Sequence, residues 1–537
     1  MTDLRRRLAL MLGTLAITAS PAQAAEQIEL RLGNVQAIIS VAQLRQYSRT
    51  GRAEGDLAAY LNLLAPPARQ AIQNGLTRPI NVDGAMLGRL LQTPLASELL
   101  LRLGSFLRTT TGDNGSAALR QTLTGLLASQ QPLTPLELIE QFPSPRLTID
   151  LTQGIALARE VARLFPERER LFADLRQVLA RRPDPPTGTV PIAVPVESGR
   201  EDRSYPVKVQ ELDWVDPTRR RPVPTTLYLP QGRAFPPVVL LSHGLGEDRL
   251  SFGYLGRFLA SQGFLVAIPE HVGSNATVSR SLFNGEVRDQ SAEELLDRPR
   301  DLTFVLDQMG ADPQLRSAAN LNRVAVIGHS YGGYTGLALA GARLNRPRLE
   351  SFCTNPTRRT SSLNLAAAFQ CRALDLDPQQ QLTADPRIRA VIALNPPLSH
   401  WFGPEGLATV RLPVLVLGSS NDIFVPVADE QIEPFQWLGS PRKYLALLEN
   451  GTHFSVMDAG APGSQMQLPS DMVGPDPAIA HHYVEQLSLV FLRRYLNEER
   501  IDTPDLDTDF GRRLSQTAMP LYLLDRWPEQ LPIPSAQ

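Results

Sequence analysis

The sequence predicts an α/β architecture: a mostly parallel sheet with helices on both faces, preceded by a mainly helical half. Three observations predict it. Continuous apolar runs recur at 237–241, 265–268, 324–327, 390–394, 414–417 and 444–448, as expected of strands buried on both faces. Helical patterns such as 252–262 and 302–309 lie between most of these runs. Strands alternating with helices imply crossover connections and hence parallel pairing. The earlier half instead repeats leucines at three- and four-residue intervals, as in Leu87, Leu90, Leu91 and Leu99, Leu100, Leu103, which is the period of a helix face.

Composition supports a packed fold. Hydrophobic residues make up 43% of the 537 and charged residues 20%, so a core is feasible. Lys and Arg number 53 against 55 Asp and Glu, a net charge of −2. No basic excess draws the chain to nucleic acid or to an anionic membrane surface.

The elements follow in order. Residues 1–24 combine Arg5, Arg6 and Arg7, an apolar run over 8–19 and the small-x-small site Ala22-Gln23-Ala24. That order is a secretory signal peptide, so the mature chain is expected outside the cytoplasm: periplasmic or secreted, with a thylakoid lumen as an alternative. The apolar run is too short for a permanent transmembrane helix, and no later stretch is long enough. Residues 25–181 form the expected helical domain. Ser40 to Gln43 has the spacing of a capping box closed by Gly51, and Thr134-Pro135 opens a second helix. This half has no histidine or cysteine and offers no catalytic constellation. A proline-rich linker covers 182–203, the α/β domain 204–500, and a C-terminal extension 501–537.

Chemistry gathers in the α/β domain. The strand 324–327 runs into Gly328-His329-Ser330-Tyr331-Gly332-Gly333, and a small-residue helix follows. A G-x-S-x-G between strand and helix forces a sharp turn. It lifts the serine hydroxyl above the sheet, over a helix N-terminus. Glycines Gly328 and Gly332 are expected to make room for that turn. Serine is a poor nucleophile at neutral pH and needs a base. Seven histidines occur. His453 lies just past the last strand in Asn450-Gly451-Thr452-His453, a loop at a strand's carboxyl end, where parallel sheets place their chemistry. Asp422, after the strand 414–417, is the expected acid that orients and stabilises the imidazole. For the oxyanion, the backbone N–H of Tyr331 and that of Leu245 are expected donors. Leu245 sits in Ser242-His243-Gly244-Leu245-Gly246, whose Gly244 and Gly246 let the backbone approach a substrate. No H-E-x-x-H or phosphate-loop motif is found, so no metal and no organic cofactor are expected.

The two cysteines, Cys353 and Cys371, are expected to pair in an oxidising compartment. They would staple a cap formed by the long insert at about 344–386.

The stretch from about Ser204 to Tyr495 resembles the platelet-activating-factor acetylhydrolase and dienelactone-hydrolase-like branch of the α/β hydrolases. The carrying segments are Ser242–Gly246, Gly263–Val266, Gly328–Gly333 and Asn450–His453. The helical half is similar to a domain of unknown function that precedes such hydrolase domains in photosynthetic bacteria. Two departures stand out. Dienelactone hydrolases use a cysteine nucleophile where this chain has Ser330, and the acetylhydrolases place their acid after the strand 390–394, where this chain has Asn395. The resemblance implies an α/β-hydrolase fold, and the residues together imply a serine carboxylic-ester hydrolase acting on small-molecule or lipid esters through an acyl-enzyme. The alternatives are a peptidase or thioesterase using the same triad, or a non-catalytic binding protein. The acyl chain, the alcohol and any protein partner are not legible in the sequence.

Overall fold

In the computed structural model the described residues are 24–62, 65–80, 84, 87–88, 91, 94–129, 131–152, 167–180, 204–283, 290–355, 358, 362, 364–464, 470–496 and 504–533. The expected signal segment, all but its last residue, and the linker 182–203 lie outside them. The chain divides into two compact units, Met1–Ala158 and Arg159–Gln537.

In the first unit helices predominate: Val41–Thr50, Gly55–Leu61, Pro66–Thr77, Pro94–Phe106, Ser116–Ala128 and Pro135–Glu140. Gly51 ends the first of them at φ 68°, its N–H returning to the Tyr47 carbonyl. Thr134 caps the last, its side chain accepting from the Glu137 N–H. Leucine periodicity gave no sign of the small sheet that accompanies them. Strands β1 (Gln27–Leu32), β2 (Val35–Ser40), β3 (Leu107–Arg108) and β4 (Arg146–Asp150) lie in the order β2-β1-β4-β3. Ile28, Leu44, Tyr47, Leu100, Phe142 and Leu147 form much of its core.

Among the described residues, the second unit is built on nine strands: β5 (Val207–Asp216), β6 (Arg221–Pro230), β7 (Pro237–Ser242), β8 (Leu265–Pro269), β9 (Asn320–His329), β10 (Ile388–Leu394), β11 (Val414–Ser419), β12 (Lys443–Leu448) and β13 (Leu521–Leu524). Their order is β13-β12-β11-β10-β9-β7-β8-β6-β5. The run from β8 through β12 is parallel throughout. Successive side chains of β7 serve opposite faces: Val238 and Leu240 join one core, Val239 and Leu241 the other. Both faces are therefore covered, which explains the continuous apolar runs in the sequence.

Two segments outside residues 204–500 belong to the second unit. The helix Arg168–Ala180, assigned to the helical domain from sequence, falls in the second unit. Its Phe172, Leu175 and Leu179 are buried in the α/β core, and the Phe172 ring lies 6.1 Å from that of Tyr522. The other is the C-terminal segment. β13 pairs antiparallel with β12, Leu524 opposite Leu445, and completes the sheet.

Burial of the helix Arg168–Ala180 in this core has a measurable consequence. A chain beginning at Thr189 loses the helix, whereas one beginning at Glu167 keeps it. The shorter chain is expected to melt at a lower temperature, because each buried side chain of this size contributes about 1.5–3 kcal/mol. Scanning fluorimetry of both chains checks this, and equal midpoints would exclude the helix from the core.

No helix of the described residues is long and apolar enough to cross a membrane.

Candidate active site

β9 ends at His329 and a helix begins at Tyr331, leaving Ser330 alone in the turn at φ 52°, ψ −115°. A non-glycine residue held there is strained, and surrounding contacts must enforce it. They do. The Ser330 N–H donates to the Leu394 carbonyl of β10 at 2.7 Å. A Cβ on Gly328 would lie 2.0 Å from the Gly332 carbonyl oxygen, and one on Gly332 would lie 1.9 Å from that of Ser242. Only glycine fits at either place. The helix Tyr331–Leu339 is buried along its whole length, and its positive N-terminal end lies beside the serine.

The loops after β11 and β12 meet. His453 Nδ1 donates to Asp422 Oδ2 at 2.5 Å. The other oxygen, Oδ1, accepts the backbone N–H groups of Phe424 at 2.9 Å and Val425 at 2.7 Å. The carboxylate is thus fixed in orientation by its own loop. The His453 carbonyl accepts from His329 Nε2 at 2.9 Å and Asn395 Nδ2 at 3.1 Å. Its ring centre lies 4.7 Å from that of His329, the neighbour of Ser330 in sequence. No hydrogen bond joins the Ser330 hydroxyl to the His453 ring in this structure; such bonds often tighten only when substrate is bound.

His453 is not the only histidine paired with a carboxylate. His271 Nδ1 lies 3.0 Å from Asp301 Oδ2, and its Nε2 lies 2.9 Å from Ser242 Oγ. Distances alone would make Ser242, His271 and Asp301 a triad. All three are at most 1% exposed, so no substrate reaches them. Burial, reinforced by the neighbouring Arg298 charge, holds the His271 pKa well below its usual value. His329 Nδ1 lies 2.5 Å from Glu247 Oε1, but its Nε2 is committed to the His453 carbonyl. Only His453 pairs Nδ1 with an acid while its second nitrogen stays unengaged among the described residues. Elsewhere, His243 bonds through Nδ1 to the Gly244 carbonyl, His400 stacks on Phe352, and His481 Nε2 donates to the Met457 carbonyl. His482 packs beside Tyr483.

The loop after β7 carries Leu245, with Gly246 at φ 75°. Neither the Leu245 nor the Tyr331 N–H is bonded to another group of the chain among the described residues. Around them lie groups that motif reading passed over. Glu247 is buried, and its Oε2 accepts the Gly244 N–H at 2.6 Å. Burial by itself would raise the Glu247 pKa, but the charge and hydrogen bond of His329 bring it below its usual value. Burial likewise opposes charge on His329, and Glu247 outweighs it, raising that pKa. Arg298, also buried, donates to the His243 carbonyl and, at 2.7 Å, to Ser274 Oγ. Its guanidinium lies 4.5 Å from the centre of the Tyr331 ring. Apart from Gly244 and Glu247, these partners lie tens of residues apart in sequence, and no local pattern marks them.

The insert packs beside the elbow. Cys353 and Cys371 are joined in a disulfide. The Phe369 ring sits edge-on to Tyr331 at 5.3 Å, and the Ala366 N–H donates to the Phe424 carbonyl at 3.1 Å. Glu430, fully buried, anchors this packing. Its carboxyl accepts from Asn364 Nδ2, Gln370 Nε2, the Ser399 hydroxyl and the N–H groups of Leu398 and Ser399. Burial pushes its pKa up in spite of these donors.

Two family models match the chain. One, described as an alpha/beta hydrolase of unknown function (DUF1400), covers residues 24–150, and the other, the alpha/beta hydrolase family, covers 238–465. The chain is 24% identical over 300 residues to a platelet-activating factor acetylhydrolase of Cavia porcellus, covering 49% of this chain and 58% of that protein. It is 24% identical over 278 residues to cutinase est1 of Thermobifida alba, covering 51% and 65%. It is also 27% identical over 221 residues to a bis(hydroxyethyl) terephthalate hydrolase of Streptomyces coelicolor, covering 40% and 50%. The chain thus spans less than two thirds of the length of each of these relatives. With its mostly parallel sheet and a strand–serine–helix turn at the sheet's carboxyl edge, the chain is a member of the α/β-hydrolase superfamily.

Proposed function

We propose that the chain is a serine carboxylic-ester hydrolase that acts through an acyl-enzyme on small-molecule or lipid esters, after export from the cytoplasm. The observation that carries this reading is the 2.5 Å contact of His453 Nδ1 with Asp422 Oδ2, in loops beside the strained elbow of Ser330. The relatives' names, an acetylhydrolase and a cutinase, support an ester substrate.

In this reading Ser330 Oγ attacks the ester carbonyl carbon as its proton passes to His453 Nε2. Asp422 holds Nδ1–H in place, so that Nε2 presents a lone pair, and it stabilises the imidazolium that forms. The free N–H groups of Leu245 and Tyr331 receive the oxyanion. Collapse of the tetrahedral adduct breaks the bond to the alcohol, which leaves with the proton from His453. Water then attacks the acyl-enzyme, with His453 as base, and the acid departs from Ser330.

Incubation with a fluorophosphonate, followed by peptide mass spectrometry, tests the reading. The expected result is a single phosphonylated peptide carrying Ser330, with loss of p-nitrophenyl acetate hydrolysis in step with labelling. An enzyme that hydrolyses the ester but is labelled elsewhere would remove Ser330 from its role.

A further inference from the structure

We propose that Glu247 and His329 are positioning residues that lock the oxyanion loop to the loop of the base through one shared proton. The proposal rests on the Ser330–His453–Asp422 reading and adds two residues to it.

Hydrogen-bond chemistry fixes the protons. His329 Nε2 faces a carbonyl, that of His453, at 2.9 Å. A carbonyl can only accept, so Nε2 carries hydrogen. His329 Nδ1 faces Glu247 Oε1 at 2.5 Å. Two acceptors cannot meet at that distance without a proton between them, and two protons would collide. One proton is therefore shared, and the pair is neutral overall wherever that proton rests. It leaves no net charge beside the His453 ring, whose centre is 4.7 Å from that of His329.

The pair is also a mechanical link. Glu247 Oε2 holds the Gly244 N–H at 2.6 Å, the residue next to the Leu245 amide. One unbroken path therefore runs from the Gly244 N–H through Glu247 and His329 to the His453 carbonyl. It joins the loop after β7, the elbow after β9 and the loop after β12. Both side chains are at most 1% exposed, so water does not compete for these bonds, and a partner left unpaired there carries its full desolvation cost. Asn395 Nδ2 supplies a second donor to the same carbonyl at 3.1 Å but does not reach the oxyanion loop. The spacing between base and oxyanion donors thus depends on Glu247.

The test uses steady-state kinetics on p-nitrophenyl acetate with full-length Glu247→Gln and Glu247→Ala. Glutamine can offer a carbonyl oxygen to the Gly244 N–H and an amide N–H to His329 Nδ1. It is expected to stay within about fivefold of wild type in kcat. Alanine releases both loops. It is expected to lower kcat by about 10²–10³-fold, the scale of losing one oxyanion donor, with KM within about threefold. If Glu247→Ala does not fold, Glu247→Asp replaces it; the shorter side chain keeps the charge but cannot span both partners, and the same loss in kcat is expected. Wild-type rates in Glu247→Ala or Glu247→Asp, a loss confined to KM, or a glutamine variant as slow as alanine would each overturn the proposal. Fluorophosphonate labelling of wild-type Ser330 runs alongside. Its failure removes the triad reading and the latch with it, whereas normal labelling with an unaffected Glu247→Ala removes the latch alone.

Discussion

Replacing Ser330 with alanine is expected to abolish hydrolysis of activated esters, lowering kcat by about 10⁶-fold as loss of a triad nucleophile does. The fold should survive. Alanine keeps the N–H that donates to the Leu394 carbonyl, and the strained φ of 52° is enforced by the glycines and strand around it, not by the hydroxyl. Circular dichroism and a thermal melt should match wild type while turnover on p-nitrophenyl acetate disappears. A pure, folded variant within tenfold of wild type would show that the attacking group lies elsewhere. The buried Ser242 beside His271 would then be the first residue to re-examine, since it has the only other Ser–His–Asp geometry described among these residues.

Asp422→Asn is expected to cost about 10⁴-fold in kcat, the loss seen when a triad acid becomes an amide. Here the structure supplies the reason. Oδ1 of Asp422 accepts two backbone N–H groups, from Phe424 and Val425. An asparagine must keep its carbonyl oxygen there, because its NH₂ would meet two donors. Its NH₂ then faces His453 Nδ1 and donates to it. The imidazole is driven to the tautomer with hydrogen on Nε2, which cannot accept a proton from serine. The measurement is kcat for Asp422→Asn against wild type on one activated ester at neutral pH, after a melt shows the turn intact. Turnover within tenfold of wild type would remove Asp422 as the acid. Asn395, at the position the acetylhydrolase resemblance gives to the acid, bonds the His453 carbonyl through its amide. It supports the backbone of His453 instead of its ring. A loss on replacing it would therefore not by itself return the acid to that position.

Much of this layout was legible because it is written locally. Buried parallel strands appear as unbroken apolar runs, and the loops at their carboxyl ends follow in sequence, so the loops that carry Ser330, Asp422 and His453, the triad proposed above, could be located from strand ends. Non-local information was not legible. Glu247 and His329 are 82 residues apart, and a glutamate after a glycine loop looks like any solvated charge. The amphipathic helix Arg168–Ala180 shows that it has an apolar face but not which core receives it. The small sheet of the first unit did leave a sign: Gly33-Asn34 between two strand-like runs is a hairpin signal, masked by the stronger leucine pattern that follows. β13 is four residues long, too short for its alternation to stand out.

That short strand covers one edge of the nine-stranded sheet. An open strand edge is a template for pairing with another chain, and without β13 the edge would be β12, six residues with a fully buried carboxyl half. β13 takes up that side and then gives a stranger little to hold. Pro520 precedes it, and the charged pair Asp525 and Arg526 follows. A protease that trims the chain before Leu521 would therefore leave the Ser330 elbow intact yet release a sticky edge, so colloidal stability would fail before chemistry did.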